Sequence, residues 1–214
     1  MNETNILVVS DLDGTLTKEP SSWQYVLEKL NLWENKGENN LQMFLNNEID
    51  YDQFINLDVK LLEGIRKEQY YAIIKSIAFR EGLVALFDYF KTINSTNIIL
   101  SSGLQDLADR LSESVKISEI YANKIHKNEH FLTGSYDKIV GWNDKSKIFK
   151  QIKKSNPYSF IIAFGDTSAD LPIIEQSDLG FSCFSNSEKL NKTADFELTD
   201  LRDAIKIIQN TIGK

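Results

Sequence analysis

A single cysteine, Cys183, leaves this chain of 214 residues unable to form an internal disulfide. Its stability therefore has to come from packing, and a reducing cytoplasm is the expected compartment. Positive charge is also scarce: 24 Lys and Arg stand against 31 Asp and Glu, a net charge of −7. A chain of that sign is poorly suited to phosphate backbones, so no nucleic-acid partner is expected. Any phosphorylated substrate has to be attracted locally, by a metal ion or a few placed cations. Long apolar runs are missing. Residues 6–9 and 160–164 are strand-length, far below the ~20 residues that a membrane helix needs. The first ten residues contain no Lys or Arg, so neither a signal peptide nor a membrane association is expected. No internal repeat, long linker or low-complexity tract interrupts the chain. The two histidines, His126 and His130, flank a predicted turn, and no catalytic role is expected for either.

What is present is the balance of a globular protein: 42% hydrophobic and 26% charged residues, with 12 Phe, 8 Tyr and 3 Trp to fill a core. The length suits one domain, or a core domain with a smaller insert. Uninterrupted apolar runs at 6–9, 97–100, 160–164 and 179–184 read as strands buried on both faces, as in a parallel sheet. Cys183 lies in the last of them and is expected to be buried and inert. Helical patterns separate these runs. Residues 81–93 carry apolar side chains at 83, 84, 86, 87, 90 and 93, and 106–111, 145–154 and 200–209 also read as helices. Asp144 stands where it could cap the third of these. Strands alternating with helices predict a doubly wound, mainly parallel α/β sheet.

Residues 18–80 show no strand pattern. Trp23, Val26, Leu27 and Leu30 fall on one helical face, and Phe54, Leu57, Leu61 and Leu62 on another, with a polar loop expected at 35–40. The predicted organisation is an α/β core of residues 1–17 and 81–214 with a small helical cap, 18–80, inserted after the first strand. Residues 124–126 and 130–133 predict a β-hairpin around Lys127-Asn128-Glu129.

Ligands of open α/β sheets bind beyond the carboxyl ends of the strands. Three polar clusters stand at such ends: Asp11-Leu12-Asp13-Gly14-Thr15-Leu16-Thr17, Ser101-Ser102-Gly103, and Gly165-Asp166-Thr167-Ser168-Ala169-Asp170. Lys145 lies between the second and third, at a predicted helix start. Asp11 can attack phosphorus and carry an aspartyl phosphate. Asp13, two residues on, can protonate the leaving oxygen and later take a proton from water. Crowding Asp11, Asp13, Asp166 and Asp170 calls for a cation, and Mg²⁺ prefers oxygen ligands of this kind. Lys145 and the Ser101-Ser102-Gly103 turn are candidates to bind the phosphoryl oxygens, with Thr15 and nearby backbone N–H groups completing the cradle. Read in isolation, Asp166 and Asp170 could equally cap the helix that follows.

The order Asp-Leu-Asp-Gly-Thr-Leu, Ser-Ser-Gly, Lys, Gly-Asp-x-x-x-Asp resembles the haloacid-dehalogenase-like phosphatases, and the four motifs span most of the chain. The resemblance implies a Rossmann-like core, Asp11 as nucleophile and Asp13 as general acid/base. It implies Mg²⁺ held by Asp11, the Asp13 carbonyl and Asp166, with Asp170 supporting. The insert, together with Tyr121-Ala122-Asn123-Lys124 and Leu132-Thr133-Gly134, is most similar to the phosphoserine phosphatase branch. That branch usually carries a cap Arg that grips the substrate carboxylate; here Asp58 stands in its place. It also usually carries an acidic residue soon after the first motif; Glu19 is near, but Pro20 holds the matching position. Asp58 and Glu19 are thus candidate substrate contacts, although Asp58 also reads as a solvated helix position.

The expected function is Mg²⁺-dependent hydrolysis of a small phosphorylated metabolite. Phosphoserine is suggested by resemblance, and Asp58 is also compatible with an amine-bearing or neutral substrate. A phosphotransferase or mutase using the same aspartyl phosphate is the alternative. A receiver-like signalling domain is disfavoured by Asp13, which promotes turnover. The sequence carries no sign of an oligomeric state.

Overall fold

The computed structural model describes residues 5–213, so residues 1–4 and 214 of the predicted core lie outside the described residues. The run at 6–9 forms β1 (Ile6–Ser10), whose five residues are all buried. Ile6 and Val8 enter one hydrophobic cluster, and Leu7 and Val9 enter the other. This alternation between two covered faces explains why the strand reads as continuously apolar.

The helical excursion comes next: α1 (Ser22–Lys29), a π-helical turn at Trp33–Gly37, α2 (Glu38–Leu45), α3 (Tyr51–Leu61) and α4 (Lys67–Ser76). Beyond it lie α5 (Leu83–Thr92), β2 (Thr96–Leu104), α6 (Gln105–Ser112), β3 (Glu119–Lys127), β4 (Leu132–Asp137) and α7 (Lys145–Ser155). The chain ends with β5 (Phe160–Gly165), α8 (Leu171–Ile174), β6 (Leu179–Cys183), α9 (Glu188–Thr193), β7 (Phe196–Leu198) and α10 (Leu201–Ile212).

The strands form one seven-stranded sheet in the order β4-β3-β2-β1-β5-β6-β7. All neighbours are parallel except β3 and β4, the predicted hairpin. The chain steps outward from β1 in both directions, so the strand order reverses there. A crevice at the carboxyl end of β1 is the expected ligand position in such a sheet.

The excursion leaves and returns at one place. Thr17 and Phe79 form an antiparallel bridge, with Lys18 N–H bonded to the Ala78 carbonyl at 2.9 Å and Arg80 N–H to the Leu16 carbonyl at 2.9 Å. It is fastened again farther out. Gly64 N–H donates to the Leu132 carbonyl, Leu132 N–H to the Ile65 carbonyl, and Lys67 N–H to the His130 carbonyl. Arg110 of α6 donates to the carbonyls of Ile74 and Ile77 at the end of α4, tying that helix to α6. Val26, Leu27, Ile55, Val59, Tyr70 and Ile74 belong to the same hydrophobic cluster as Ile6, Val8 and Phe164 of the sheet.

Several local expectations are corrected. Residues 35–40 are not a loop but the end of the π-helical turn and the start of α2, in which only Asn40 is buried. The inward face of α3 is Ile55, Asp58 and Val59, continued by Leu62, while Leu57 is exposed. Val84 of α5 also faces solvent. Asp144 precedes α7 without capping it, because its carboxylate accepts instead from Gly141 N–H at 2.8 Å. β6 stops at Cys183, since Phe184 adopts φ 53° and turns the chain.

Candidate active site

The loop after β1 is built to hold two carboxylates in fixed places. Asp11 N–H completes the pairing with β5 by donating to the Phe164 carbonyl at 3.0 Å. One carboxylate oxygen of Asp11, Oδ1, accepts from Leu12 N–H at 2.7 Å, and the other, Oδ2, lies 3.0 Å from Lys145 Nζ. The turn beyond is closed by Gly14 N–H, which donates to the Glu19 carbonyl at 2.8 Å and to Thr17 Oγ1 at 3.1 Å. Gly14 has φ +74°, and a Cβ there would fall 2.1 Å from Asp166 Oδ2. Only glycine meets both demands. The Gly14 carbonyl is gripped by Arg80, whose guanidinium stacks 3.5 Å from the centre of the Phe184 ring.

Asp13 is oriented by the start of α1. Ser22 N–H and Ser22 Oγ each donate to Asp13 Oδ2 at 2.7 Å, while Oδ1 is buried without a partner. Burial pushes the Asp13 carboxyl up to about 6, with Ser22 opposing the shift, so a proton is readily held there. Gly103 makes room for it: a Cβ at Gly103 would stand 2.5 Å from Asp13 Oδ2 and 2.9 Å from Ser22 Oγ.

Lys145, at the first turn of α7, is 3% exposed and bridges two carboxylates, Asp11 at 3.0 Å and Asp170 at 2.6 Å. Burial alone would lower its pKa, but those two anions hold it above the ordinary lysine value. Asp170 Oδ2 accepts from the N–H groups of Asp166 and Thr167, both at 3.1 Å, and so folds the loop after β5. Asp166 points back toward the first loop, where Thr15 Oγ1 donates to it at 3.0 Å. Burial raises the Asp11 carboxyl, with Lys145 opposing. Burial and then the charges of Asp11 and Asp170 carry Asp166 to about 8.

Oxygens of Asp11, Asp166 and Asp170 lie within 4.8 Å of one another. Three carboxylates against one touching ammonium leave the cluster short of positive charge, and its donors are all hard oxygens. These residues fit a divalent cation of the magnesium type. A bound cation would favour the ionised forms of Asp11 and Asp166.

A cavity of about 230 Å³ opens over these groups. Asp11, Asp13, Ser101, Ser102, Gly103 and Lys145 form one end. Ser101 is buried and its Oγ accepts from Gly103 N–H at 3.1 Å. The Ser102 carbonyl accepts from Trp23 Nε1 at 2.9 Å and Asn123 Nδ2 at 2.8 Å. Thr15, Asp166 and Asp170 stand behind this end rather than on the cavity wall. Asp58 lines the cavity and is 1% exposed, which overturns its reading as a solvated helix position. Glu19 does not line it; its carbonyl closes the first loop, and Pro20 and Ser21 form that stretch of wall.

Three contributors have no role legible from the sequence: Ser22, Arg80 and Asn123, the last lying in the Tyr121-Ala122-Asn123-Lys124 segment that stands out only by its resemblance. Asn123 ties Ser102 to the loop before α7, donating to the carbonyls of Ser102 and Val140 and accepting from the N–H groups of Ile139 and Val140. The Ser21-Ser22 pair before an apolar helical face is a capping signal, and it could have located Ser22.

A family model described as haloacid dehalogenase-like hydrolase matches residues 8–175. A phosphoserine phosphatase of Streptococcus thermophilus is 28% identical, with the match covering 100% of both chains. A probable phosphoserine phosphatase of Schizosaccharomyces pombe is 26% identical over 94% of this chain and 69% of its own length. Among solved structures, a phospho-aspartyl intermediate analogue of phosphoserine phosphatase superposes with a TM-score of 0.80 at 20% identity, covering 95% of this chain and 99% of that one. A substrate-bound phosphoserine phosphatase complex gives 0.80 at 19% identity, covering 97% and 99%. At these identities the structural likeness speaks for the fold.

Proposed function

The chain belongs to the haloacid dehalogenase-like hydrolases, and from that membership we propose that it hydrolyses a small phosphate monoester in a Mg²⁺-dependent reaction, through an aspartyl phosphate on Asp11. The relatives named above are phosphatases, and the chain is accordingly a phosphoric monoester hydrolase. Phosphoserine is the substrate named for those relatives. The single observation that carries the reading is the ion triad Asp11–Lys145–Asp170 at the crevice beside β1. It leaves a nucleophilic carboxylate, a fixed cation and the second carboxylate, Asp13, around the same cavity wall.

An Asp11 carboxylate oxygen attacks phosphorus and the bond from phosphorus to the ester oxygen breaks. Asp13 gives its proton to the departing oxygen. Water then attacks phosphorus of the aspartyl phosphate, Asp13 takes the water proton, and Asp11 is released as carboxylate. Lys145 keeps Asp11 oriented and offsets charge on the phosphoryl oxygens, and the Ser101 hydroxyl and the Ser102–Gly103 turn border the same space. A Mg²⁺ held by Asp11, the Asp13 carbonyl and Asp166, with Asp170 behind, would supply charge neutralisation when bound. Residues 18–80 act as a cap that encloses the substrate's far end and keeps bulk water out. With one wall of the cavity drawn from α1 and α3, the cap suits a small metabolite better than a folded phosphoprotein.

The test is phosphate release from phosphoserine and other small phosphomonoesters with and without Mg²⁺, beside Asp11→Asn. Release that needs the metal and falls about 10³-fold or more in the variant is expected, in the range seen when a nucleophile is removed. Equal release by the Asp11→Asn protein would overturn the reading.

A further inference from the structure

The cavity has an unusual lining for a site that is to receive an anion. Trp23, Trp33, Tyr51, Phe54 and Trp142 line it together with Asp58, and Trp23 reaches the catalytic end, where its Nε1 donates to the Ser102 carbonyl. The chain has three tryptophans, and all three are here. Among the described residues, Lys145 is the one Lys or Arg that lines the cavity, and it is already engaged by Asp11 and Asp170. The cavity's volume of about 230 Å³ is below the ~300–1,000 Å³ of pockets for drug-sized ligands, so it suits a small one.

Asp58 is the telling residue. Among the described residues, its side chain is hydrogen-bonded only by Asn40 Nδ2, which donates to Oδ1 at 2.8 Å. The other oxygen, Oδ2, has no partner, in a residue that is 1% exposed and borders the cavity. A carboxylate buried without a cation is costly. A carboxylate-bearing substrate would bring a second anion toward it with no free ammonium or guanidinium to meet either. A cationic substrate does the opposite. Its ammonium can pair with Asp58, and the faces of indole and phenol rings attract such a cation.

We propose that the substrate is an ammonium-bearing phosphate monoester without a carboxylate, the phosphate of a small amino alcohol, with its phosphate at Lys145 and its cationic end at Asp58 and the aromatic wall. This rests on the phosphatase reading of the site and narrows its substrate class away from phosphoserine.

The two readings are tested separately. With Mg²⁺ and the full chain, p-nitrophenyl phosphate reports whether the site is a phosphatase at all, and its hydrolysis should disappear in Asp11→Asn. For the substrate class, kcat/KM is compared among phosphoethanolamine, phosphocholine, phosphoserine and glycerol 3-phosphate. The amino-alcohol phosphates are expected to exceed the other two by about tenfold or more, one tenfold step per 1.4 kcal/mol of discrimination. Relative rates of phosphoethanolamine and phosphocholine then distinguish a primary from a quaternary head. A preference for phosphoserine or glycerol 3-phosphate, with hydrolysis of p-nitrophenyl phosphate intact, overturns the substrate class and leaves the phosphatase standing. No Asp11-dependent hydrolysis of any member overturns both.

A second measurement needs no turnover. The three tryptophans report directly on the cavity, so choline and ethanolamine should change their fluorescence saturably in the Asp11→Asn protein, whereas glycerol and equal concentrations of sodium chloride should not. No saturable change overturns the cation site. Asp58→Asn should weaken the choline response about tenfold, and Asp58→Arg should move the kcat/KM ratio toward phosphoserine. If either variant fails to fold, the wild-type ranking and the fluorescence titration still decide.

Discussion

At the scale of single residues, the site depends on groups that hold other groups. Gly103 is one of them. Adding a methyl group there forces Asp13 or Ser22 to move, because the new Cβ would meet both. A displacement of about 1 Å at a reacting group can cost on the order of 10²-fold in rate. Gly103→Ala is therefore expected to lower kcat by about that factor while the protein stays folded, as steady-state kinetics beside a thermal melt would show. Asp58 makes a second prediction, about stability. Burial raises its folded-state carboxyl from 3.8 to about 7, and Asn40 opposes this only in part. A raised carboxylate pKa means that the folded state holds a proton which the unfolded state has lost. The stabilisation is complete below 3.8 and is lost as pH rises through about 7. Asp58→Asn removes the ionisation, so it should leave stability nearly unchanged near pH 4 and raise it by about 1–3 kcal/mol near pH 8. Denaturant melts across that range would refute this if the gain were flat or reversed. Asp11, Asp13, Lys145, Asp166 and Asp170 could be read from the sequence because each sits at a strand end or helix start in a fixed order. The segment around Asn123 could be noticed, but the role of this side chain could not be read, since its four bonds reach across to residues 102, 139 and 140.

At the scale of elements, six of the seven strands were legible, the three-residue β7 was not, and the helices of the excursion were legible only in part. β1 is buried along its whole length and β5 over its last four residues, and apolar runs this short, bounded by polar residues, are of strand length. α2 turns Leu41 toward the cavity and stacks Phe44 on Phe54, with ring centres 5.4 Å apart, but its buried residue is Asn40. An apolar stripe that short, behind the polar run 34–40, gives little period to detect. α3 does have one, but Phe54, Leu57 and Leu61 suggest a face rotated from the real one, because Asp58 occupies an inward position that an apolar pattern would not assign. The rotation is testable. Leu62 is buried and Leu57 is 40% exposed, so Leu62→Ala should cost about 2–5 kcal/mol and Leu57→Ala no more than about 0.5 kcal/mol. Equal costs in urea denaturation would place the helix in the orientation read from the sequence.

At the scale of the whole molecule, the sheet gathers its charge where the strand order reverses. Loops after β1 and β5, which are neighbours in the sheet but far apart in the chain, bring Asp11, Asp166 and Asp170 together. The cost of that crowding should be visible without any substrate. On the proposed reading the cluster holds Mg²⁺ in the folded chain, so saturating metal should raise the melting temperature and chelation should lower it, with the shift growing as the logarithm of metal concentration. Asp166→Asn should abolish the shift and stabilise the metal-free protein, since one of three mutually repelling carboxylates is gone. A metal shift that survived in this variant would place the cation elsewhere. The doubly wound order was predictable from the alternation of runs. The anchoring of the excursion to β4 was not, because it uses backbone groups of residues 64–67 and 130–132, which leave no trace in side-chain pattern.

The pairing of Leu16 and Lys18 with Ala78 and Arg80 makes the excursion a loop sealed at its neck. For a flexible loop closed in this way, the entropy of closure changes only with the logarithm of its length, about 0.6 kcal/mol for each doubling. Insertions and deletions beyond the neck therefore weigh little on that term, whereas the residues carrying Asp11 and Asp13 lie on the near side, in register with the sheet. Changes of length there can reshape the aromatic lining of the cavity while the loop that carries Asp11 and Asp13 stays in place.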